Sequence, residues 1–175
     1  MDKNDILIVD DEKEIADLLE VYLTNENYHI HKFYSALAAL ECVENAPISL
    51  AILDVMMPEM DGFSLCQKIR EKHFFPIIML TAKTDDMSKI QGLSLGADDY
   101  ITKPFNPLEV VARVKTQLRR YKHYNTNSQA LTPAPAEYDS KGLYICADSH
   151  KCTLNGESLS LTPIEFNILW YLCER

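Results

Sequence analysis

The stretch Ile6-Leu7-Ile8-Val9-Asp10-Asp11 decides the fold of this chain, because it joins a fully apolar run directly to two carboxylates. Four consecutive aliphatic residues predict a strand that is buried on both faces, as strands in parallel sheets are. Strongly apolar runs return at 48–55 and 77–80, a weaker one lies at 29–33, and Tyr100-Ile101 marks a short one. The sequence therefore predicts five strands in roughly its first two thirds.

Helical patterns separate these strands. Apolar residues recur at helical spacing from Ile15 to Leu23, and further helices are predicted over 37–43, after Asp61-Gly62, over 85–95 and from Pro107. Alternating strands and helices predict an α/β fold with a doubly wound parallel sheet. In such folds, binding sites form beyond the carboxyl ends of the strands.

Composition narrows the class of protein. The net charge is -9 and the pI about 5.0, which argues against a general binder of nucleic-acid backbones. No apolar run is long enough to span a bilayer, and the polar start at Met1–Asp5 lacks the apolar stretch of a secretory signal. We expect a cytoplasmic protein with no membrane partner.

The five cysteines show no zinc-site spacing and are expected to be reduced core residues, although Cys146 and Cys152 could face each other across a hairpin.

Polar residues stand where the predicted strands end. Asp10 and Asp11 follow the first strand, Asp54 ends the third, Thr81 ends the fourth and Lys103 ends the fifth. Three clustered carboxylates repel one another, and Mg²⁺ is the usual counter-ion where phosphate is handled. A hydroxyl and an ammonium group would contact the oxygens of a phosphoryl group, and a carboxylate can itself be the nucleophile.

Each of these residues has a simpler interpretation on its own. An aspartate after a strand is often a helix N-cap, which Asp11 partly resembles, and a lone threonine or lysine at a strand end is usually a cap or a solvated group. Their joint occurrence at the ends of four strands favours a common site.

Four segments carry a resemblance to a known family. They are Ile6–Glu12, Leu53–Gly62 with Pro58 and Asp61-Gly62, Leu80-Thr81-Ala82, and Gly96–Phe105 with Asp98-Asp99-Tyr100 and Lys103-Pro104. Together they resemble the receiver domain of bacterial two-component response regulators, whose CheY-like (βα)5 fold would cover residues 1–122. The resemblance implies phosphorylation of Asp54 by a sensor histidine kinase. It also implies that Asp10, Asp11, Asp54 and the Met56 backbone carbonyl position Mg²⁺, that Thr81 and Lys103 contact the phosphoryl group, and that Lys103-Pro104 is a cis peptide.

The same resemblance implies a switch. Thr81 would move towards the phosphoryl group, and the ring of Tyr100 would fill the space that it leaves. On packing alone, Tyr100 is equally well a half-buried strand aromatic. The switch would be a population shift between two packings of the same residues.

Charged residues between 85 and 120 would ordinarily be a solvated surface. Here the sequence resembles the OmpR/PhoB subfamily, whose active receivers form homodimers through the fourth helix, fifth strand and fifth helix of the receiver. The implied intersubunit pairs are Lys89–Glu109, Asp99–Arg113 and Asp98–Arg120. Exposed pairs are individually weak, so they would set register more than affinity.

The composition changes after Tyr124. We expect a linker over 123–137, followed by strands at 142–147, 151–154 and 159–161. Asn155-Gly156 is a hairpin turn signal, and Thr162-Pro163-Ile164-Glu165 predicts a capped helix start. Residues 138–175 resemble the first sheet and first helix of the winged-helix DNA-binding domain of the OmpR/PhoB subfamily.

The sequence thus predicts a phosphorelay response regulator that controls transcription through a C-terminal DNA-binding domain, incomplete here because the recognition helix and wing would lie beyond Arg175. From residue 125 onward three basic residues stand against six acidic ones, so we expect promoter DNA to be a partner only of the complete protein. The alternative is a truncated receiver that accepts phosphate without DNA output. We expect no enzyme beyond slow autodephosphorylation, since haloacid-dehalogenase-type phosphatases need an acid where Met56 stands.

Overall fold

A computed structural model describes residues 4–82, 96–126, 137–147 and 151–173. The chain divides into two compact units, Met1–Tyr121 and Lys122–Arg175. The helix predicted over 85–95, which carries Lys89, lies outside the described residues, as does most of the predicted linker.

The first unit is built on a parallel sheet of five strands. The strands are β1 (Asp5–Val9), β2 (His29–Phe33), β3 (Ile48–Asp54), β4 (Ile77–Ala82) and β5 (Asp99–Lys103). Their order in the sheet is β2-β1-β3-β4-β5, and every neighbouring pair is parallel. The sequence prediction of a five-stranded parallel sheet is confirmed.

The described helices of this unit follow the strands. They are α1 (Lys13–Asn25), α2 (Ala36–Asn45), α3 (Gly62–Arg70) and α4 (Pro107–Thr126). Asp61 caps α3, because its side chain accepts a hydrogen bond of 2.8 Å from the Ser64 amide. The helix α4 continues past residue 122, where the sequence analysis ended the receiver domain.

Two hydrophobic cores lie on opposite faces of the sheet. Leu7 and Val9 of β1 join one core with residues of α2 and α3, whereas Ile6 and Ile8 join the other with residues of α1 and α4. Alternate side chains of a strand point to opposite faces, so a continuous apolar run fills both cores at once. This two-sided burial is what makes the sheet doubly wound.

The second unit is an antiparallel sheet with one described helix. Its strands are β6 (Glu137–Ser140), β7 (Leu143–Cys146), β8 (Lys151–Leu154) and β9 (Glu157–Ser158), followed by α5 (Pro163–Cys173). Ile145, Cys152 and Phe166 form its core, and Trp170 packs against them. The capping box at the start of α5 is present, since the Thr162 amide donates to Glu165 Oε2 at 2.8 Å.

Three details of this unit differ from the sequence prediction. The last strand is Glu157–Ser158, directly after the turn, and not 159–161. The strand β6 was missed, because the prediction began the strands of this unit at residue 142. It pairs with β7 through a turn at Lys141-Gly142 (φ 51° and 84°). Cys152 lies opposite Ile145 and Cys146 opposite Lys151, so the two cysteines do not face each other.

Asn155 and Gly156 have φ angles of 52° and 87°, which confirms the predicted hairpin turn. Within the described ranges, no helix has both the length and the apolar character needed to cross a membrane.

Candidate carboxylate site

Three carboxylates converge at the carboxyl ends of β1 and β3. Asp54 is the last residue of β3, and Asp10 and Asp11 follow β1, its neighbour in the sheet. One carboxylate oxygen from each of the three lies within 4.8 Å of the others. Asp10 and Asp54 are 0% and 3% exposed, whereas Asp11 is exposed. The strand pairing therefore brings together the acidic residues that the sequence placed at separate strand ends.

Lys103 neutralises part of this charge. Its Nζ lies 2.8 Å from Asp54 Oδ1, 2.9 Å from Asp10 Oδ2 and 3.0 Å from Glu12 Oε1. Burial alone would lower the pKa of Lys103, but the three neighbouring carboxylates raise that pKa above its ordinary value, so Lys103 is a cation at neutral pH. The following Lys103-Pro104 peptide bond is cis, the isomer that the family resemblance implies.

The neighbours of the Asp10 carboxylate do not satisfy it completely. Burial raises the pKa of Asp10, although the Lys103 ammonium and the Glu12 amide act against that rise. Oδ1 accepts a hydrogen bond of 2.9 Å from the Glu12 amide. Oδ2 lies close to the Lys103 ammonium, yet among the residues described it accepts no well-directed hydrogen bond. A buried, incompletely satisfied carboxylate oxygen beside two further carboxylates fits a hard divalent cation with oxygen ligands, such as Mg²⁺.

The backbone around Asp54 is fixed from two sides. The Met56 amide donates to Asp54 Oδ2 at 3.0 Å, next to the Met56 carbonyl that is predicted to bind Mg²⁺. The Gly62 amide donates to the Val55 carbonyl at 3.0 Å. A Cβ atom at Gly62 would lie 2.1 Å from the backbone oxygen of Asp54, so only glycine allows this approach. The start of α3 therefore rests directly on the end of β3.

The predicted switch residues lie on neighbouring strands. Thr81 is buried near the end of β4, and its hydroxyl donates to the Ala82 carbonyl at 3.3 Å. Tyr100 in β5 lies opposite Met79 of β4. Its ring packs against the hydrophobic core on the face of the sheet that α2 and α3 cover. The Tyr100 hydroxyl is buried and has no hydrogen-bond partner in the described part of the chain. Burial raises the pKa of Tyr100, so the ring stays neutral. Its role in a switch stays a prediction.

Most of the residues predicted for the dimer interface line one cavity. The cavity has a volume of about 380 Å³ and lies between β5 and α4. It is lined by Asp98, Asp99, Glu109, Ala112, Arg113, Thr116, Gln117 and Arg120. The structure thus gathers five of the six predicted residues, and the sixth, Lys89, is outside the described residues.

Within a single chain, these charges already have partners. Arg113 Nη1 lies 2.9 Å from Asp99 Oδ1, and Arg113 Nη2 lies 2.9 Å from Glu109 Oε1. Asp98 Oδ2 lies 2.7 Å from Arg70 Nη2, and both of these side chains are nearly buried. Asp98 and Asp99 therefore already form ion pairs with residues of the same chain. The predicted intersubunit pairs stay predictions.

Sequence reasoning missed two contributors. Glu12 was quoted within a motif but given no role, although it shares the Lys103 ammonium. Arg70 was not identified, although it donates to the carbonyls of Gly96 and Phe75 as well as to Asp98. The only available signal was its position at the end of the helix that follows the Asp61-Gly62 turn.

Comparison with known proteins agrees with this geometry. The family model of the response regulator receiver domain matches residues 6–115, and the chain belongs to this family. The chain is 57% identical over 170 residues to the regulatory protein VanRc of Enterococcus gallinarum. This alignment covers 97% of the chain and 73% of VanRc. It is 56% identical over 174 residues to the regulatory protein VanR of Enterococcus faecium, covering 97% of the chain and 72% of VanR.

A solved structure is similar over nearly the same span. It is DrrB of Thermotoga maritima, described as an OmpR/PhoB homologue, with a TM-score of 0.64 and 32% identity. The match covers 99% of this chain and 73% of DrrB.

Proposed function

We propose that this response regulator is switched by phosphorylation of Asp54 by a sensor histidine kinase in the cytoplasm. The supporting observation is the contact of the Asp54 carboxylate with the Lys103 ammonium in a buried pocket that also holds Asp10. An Asp54 oxygen attacks the phosphorus of a phosphohistidine, the P–N bond breaks, and the departing imidazole takes up a proton.

The residues around Asp54 have separate tasks in this transfer. Lys103 keeps a positive charge beside the oxygens that accept the phosphoryl group. Asp10, Asp11, Asp54 and the Met56 carbonyl would hold Mg²⁺, which supplies positive charge for the phosphoryl oxygens. Thr81 would donate its hydroxyl to a phosphoryl oxygen in place of its present bond to Ala82. No substrate is turned over, and slow hydrolysis of the acyl phosphate only times the signal.

The phosphorylation step is tested with a small acyl-phosphate donor and Mg²⁺. Intact-mass spectrometry should show one added phosphoryl group on the wild-type chain and none on Asp54→Asn. The matched control is Asp17→Asn, which removes an exposed carboxylate that pairs with Lys32 and is not one of the three clustered carboxylates. Labelling of Asp54→Asn to the wild-type level would reject Asp54 as the acceptor.

We further propose that phosphorylation promotes homodimerisation through the cavity between β5 and α4. The supporting observation is that alternating charges of Asp99, Arg113 and Glu109 already form a connected network there. In the dimer, these residues would replace their partners in the same chain with the equivalent residues of the second copy. The ion pairs would then fix the register of the two copies relative to each other.

Arg113→Glu tests this interface. It should weaken phosphate-dependent dimerisation in sedimentation velocity, because it places a third negative charge beside Asp99 and Glu109. Lys115→Glu is the matched control on the same helix, since Lys115 pairs with Glu26 and does not line the cavity. Equal dimerisation of both variants would exclude this surface.

For the complete protein we propose that the output is transcriptional control through a winged-helix domain that begins with β6–β9 and α5. The similarity to VanR and VanRc across 97% of the chain supports this proposal. From residue 125 onward the sequence is acidic, so these 175 residues alone should show no operator selectivity in a mobility-shift assay. Selective binding by the chain itself would contradict this expectation, whereas phosphorylation without DNA output would be the behaviour of a receiver alone.

A further inference from the structure

A second cluster of metal-ligating side chains lies at the opposite end of the sheet from Asp54. Asp5 begins β1, and His29 and His31 lie on the neighbouring strand β2. The strand register places Asp5 opposite His29 and Leu7 opposite His31. Because residues two apart on a strand share a face, both imidazoles lie on the same side of the sheet as the Asp5 carboxylate.

The three side chains converge on one oxygen atom. His29 Nδ1 lies 2.6 Å from Asp5 Oδ1, and His31 Nε2 lies 2.8 Å from the same atom. One ligating atom of each residue lies within 4.8 Å of the other two. The imidazole rings meet edge to face, with centroids 4.6 Å apart, so both ring nitrogens can point to a common centre.

The backbone holds these ligands in place. All three residues belong to paired strands, and the His29 amide donates to the Asn4 carbonyl at 3.0 Å. The side chains of Asp5 and His31 are 19% and 20% exposed, whereas that of His29 is 60% exposed. The cluster therefore has two enclosed ligands, one accessible ligand and a side open to water.

Two imidazoles and one carboxylate form a ligand set for a borderline transition-metal ion rather than for Mg²⁺, which prefers oxygen ligands alone. We propose that Asp5, His29 and His31 bind a divalent transition-metal ion of the zinc class, with a fourth position left to water. Each neutral imidazole would use the lone pair of the nitrogen that now faces Asp5 and would keep its ring proton on the other nitrogen. The site is separate from the proposed phosphorylation pocket and does not depend on it.

The test is calorimetric titration of the tag-free chain with Zn²⁺. Excess Mg²⁺ is present throughout to occupy the oxygen pocket of Asp10, Asp11 and Asp54. We expect one Zn²⁺ per chain, and a loss of affinity of at least about tenfold in His29→Ala and in His31→Ala. His73→Ala is the matched control, because His73 lies after α3 and is not one of the three clustered ligands.

The His29→Ala variant decides the outcome if His31→Ala folds poorly, since the His29 side chain is mostly exposed and its removal leaves the core intact. Far-UV circular dichroism checks the fold of each variant. In NMR spectra of the wild type, Zn²⁺ should shift the ring resonances of His29 and His31 while Mg²⁺ leaves them unchanged. Absence of stoichiometric binding, or unchanged affinity in His29→Ala, would overturn the proposal.

Discussion

The guanidinium group of Arg70 and the carboxylate of Asp98 form a nearly buried ion pair, with Nη2 2.7 Å from Oδ2. The same carboxylate oxygen accepts a hydrogen bond of 2.8 Å from the Ile77 amide. Burial lowers the pKa of Arg70 and raises that of Asp98, and their mutual attraction acts against both shifts. The last residue of α3 is thereby tied to the first residue of β4 and to the residue before β5.

Arg70→Ala should destabilise the receiver unit by about 3 kcal/mol, because it leaves the buried Asp98 carboxylate without its counter-ion. Arg70→Lys should recover only part of this loss, since an ammonium group cannot serve Asp98 and the carbonyls of Gly96 and Phe75 together. Urea denaturation measures the effect. The control is Lys72→Ala, which breaks an exposed pair with Glu44 and should barely move the midpoint. Equal midpoints for Arg70→Ala and Lys72→Ala would show that the buried pair is not structural.

Gly62→Ala should disturb both stability and phosphorylation. The new methyl group would lie 2.1 Å from the Asp54 backbone oxygen, so either α3 or the end of β3 must move. We expect a loss of about 2 kcal/mol or more in the free energy of unfolding, together with slower labelling of Asp54 by the acyl-phosphate donor. Gly156→Ala is the comparison for labelling: its positive φ of 87° strains a substitution there too, but no atom lies within 4 Å of the position that its new methyl group would take. Normal labelling of Gly62→Ala would show that the contact does not position Asp54.

Asp10→Asn should remove the effect of Mg²⁺ on stability. In wild-type protein, millimolar Mg²⁺ should raise the thermal midpoint, because an ion that binds only the folded state stabilises it by mass action. Without Mg²⁺ the variant should be at least as stable as wild type, since it replaces a buried, incompletely satisfied carboxylate with a neutral amide. Differential scanning calorimetry with and without Mg²⁺ measures both effects. A Mg²⁺-dependent rise of wild-type size in Asp10→Asn would exclude Asp10 as a ligand.

The capping box of α5 should respond to acid. Hydrogen bonds from the Thr162 amide and hydroxyl lower the pKa of Glu165 below its ordinary value of 4.5. A lowered carboxyl pKa means that this contribution is complete above pH 4.5 and is lost as the pH falls through the folded-state pKa. Hydrogen exchange of the amides at 166–173 should therefore accelerate in wild type below pH 4.5 relative to Glu165→Gln, whose amide cannot titrate. Identical pH dependence in both proteins would contradict this assignment.

Sequence patterns were sufficient for the residues at strand ends. The apolar runs of β1 and β3 indicated which strands are buried, and the parallel-sheet rule then placed Asp10 and Asp54 side by side. The pattern could not reveal the contact of Glu12 with Lys103, because an acidic residue before a helix is common for reasons of capping alone.

Contacts that depend on strand register or on distant positions could not be predicted from the sequence. Arg70 and Asp98 lie 28 residues apart with no periodicity that links them. The cluster of Asp5, His29 and His31 exists only because β1 and β2 pair in one particular register. The strand β9 was misplaced for a related reason: the apolar Leu159 and Leu161 suggested a strand, but the tight turn at Asn155-Gly156 fixes pairing at the residues that follow it immediately.

Trp170, packed against the core of the second unit, is the single tryptophan of the chain. Tryptophan fluorescence therefore reports on the second unit alone, because the receiver unit contains no tryptophan. Tryptophan fluorescence follows the unfolding of β6–β9 and α5 separately from the rest of the molecule. Any change in that emission on phosphorylation of Asp54 would be a direct view of a signal passing from one unit to the other.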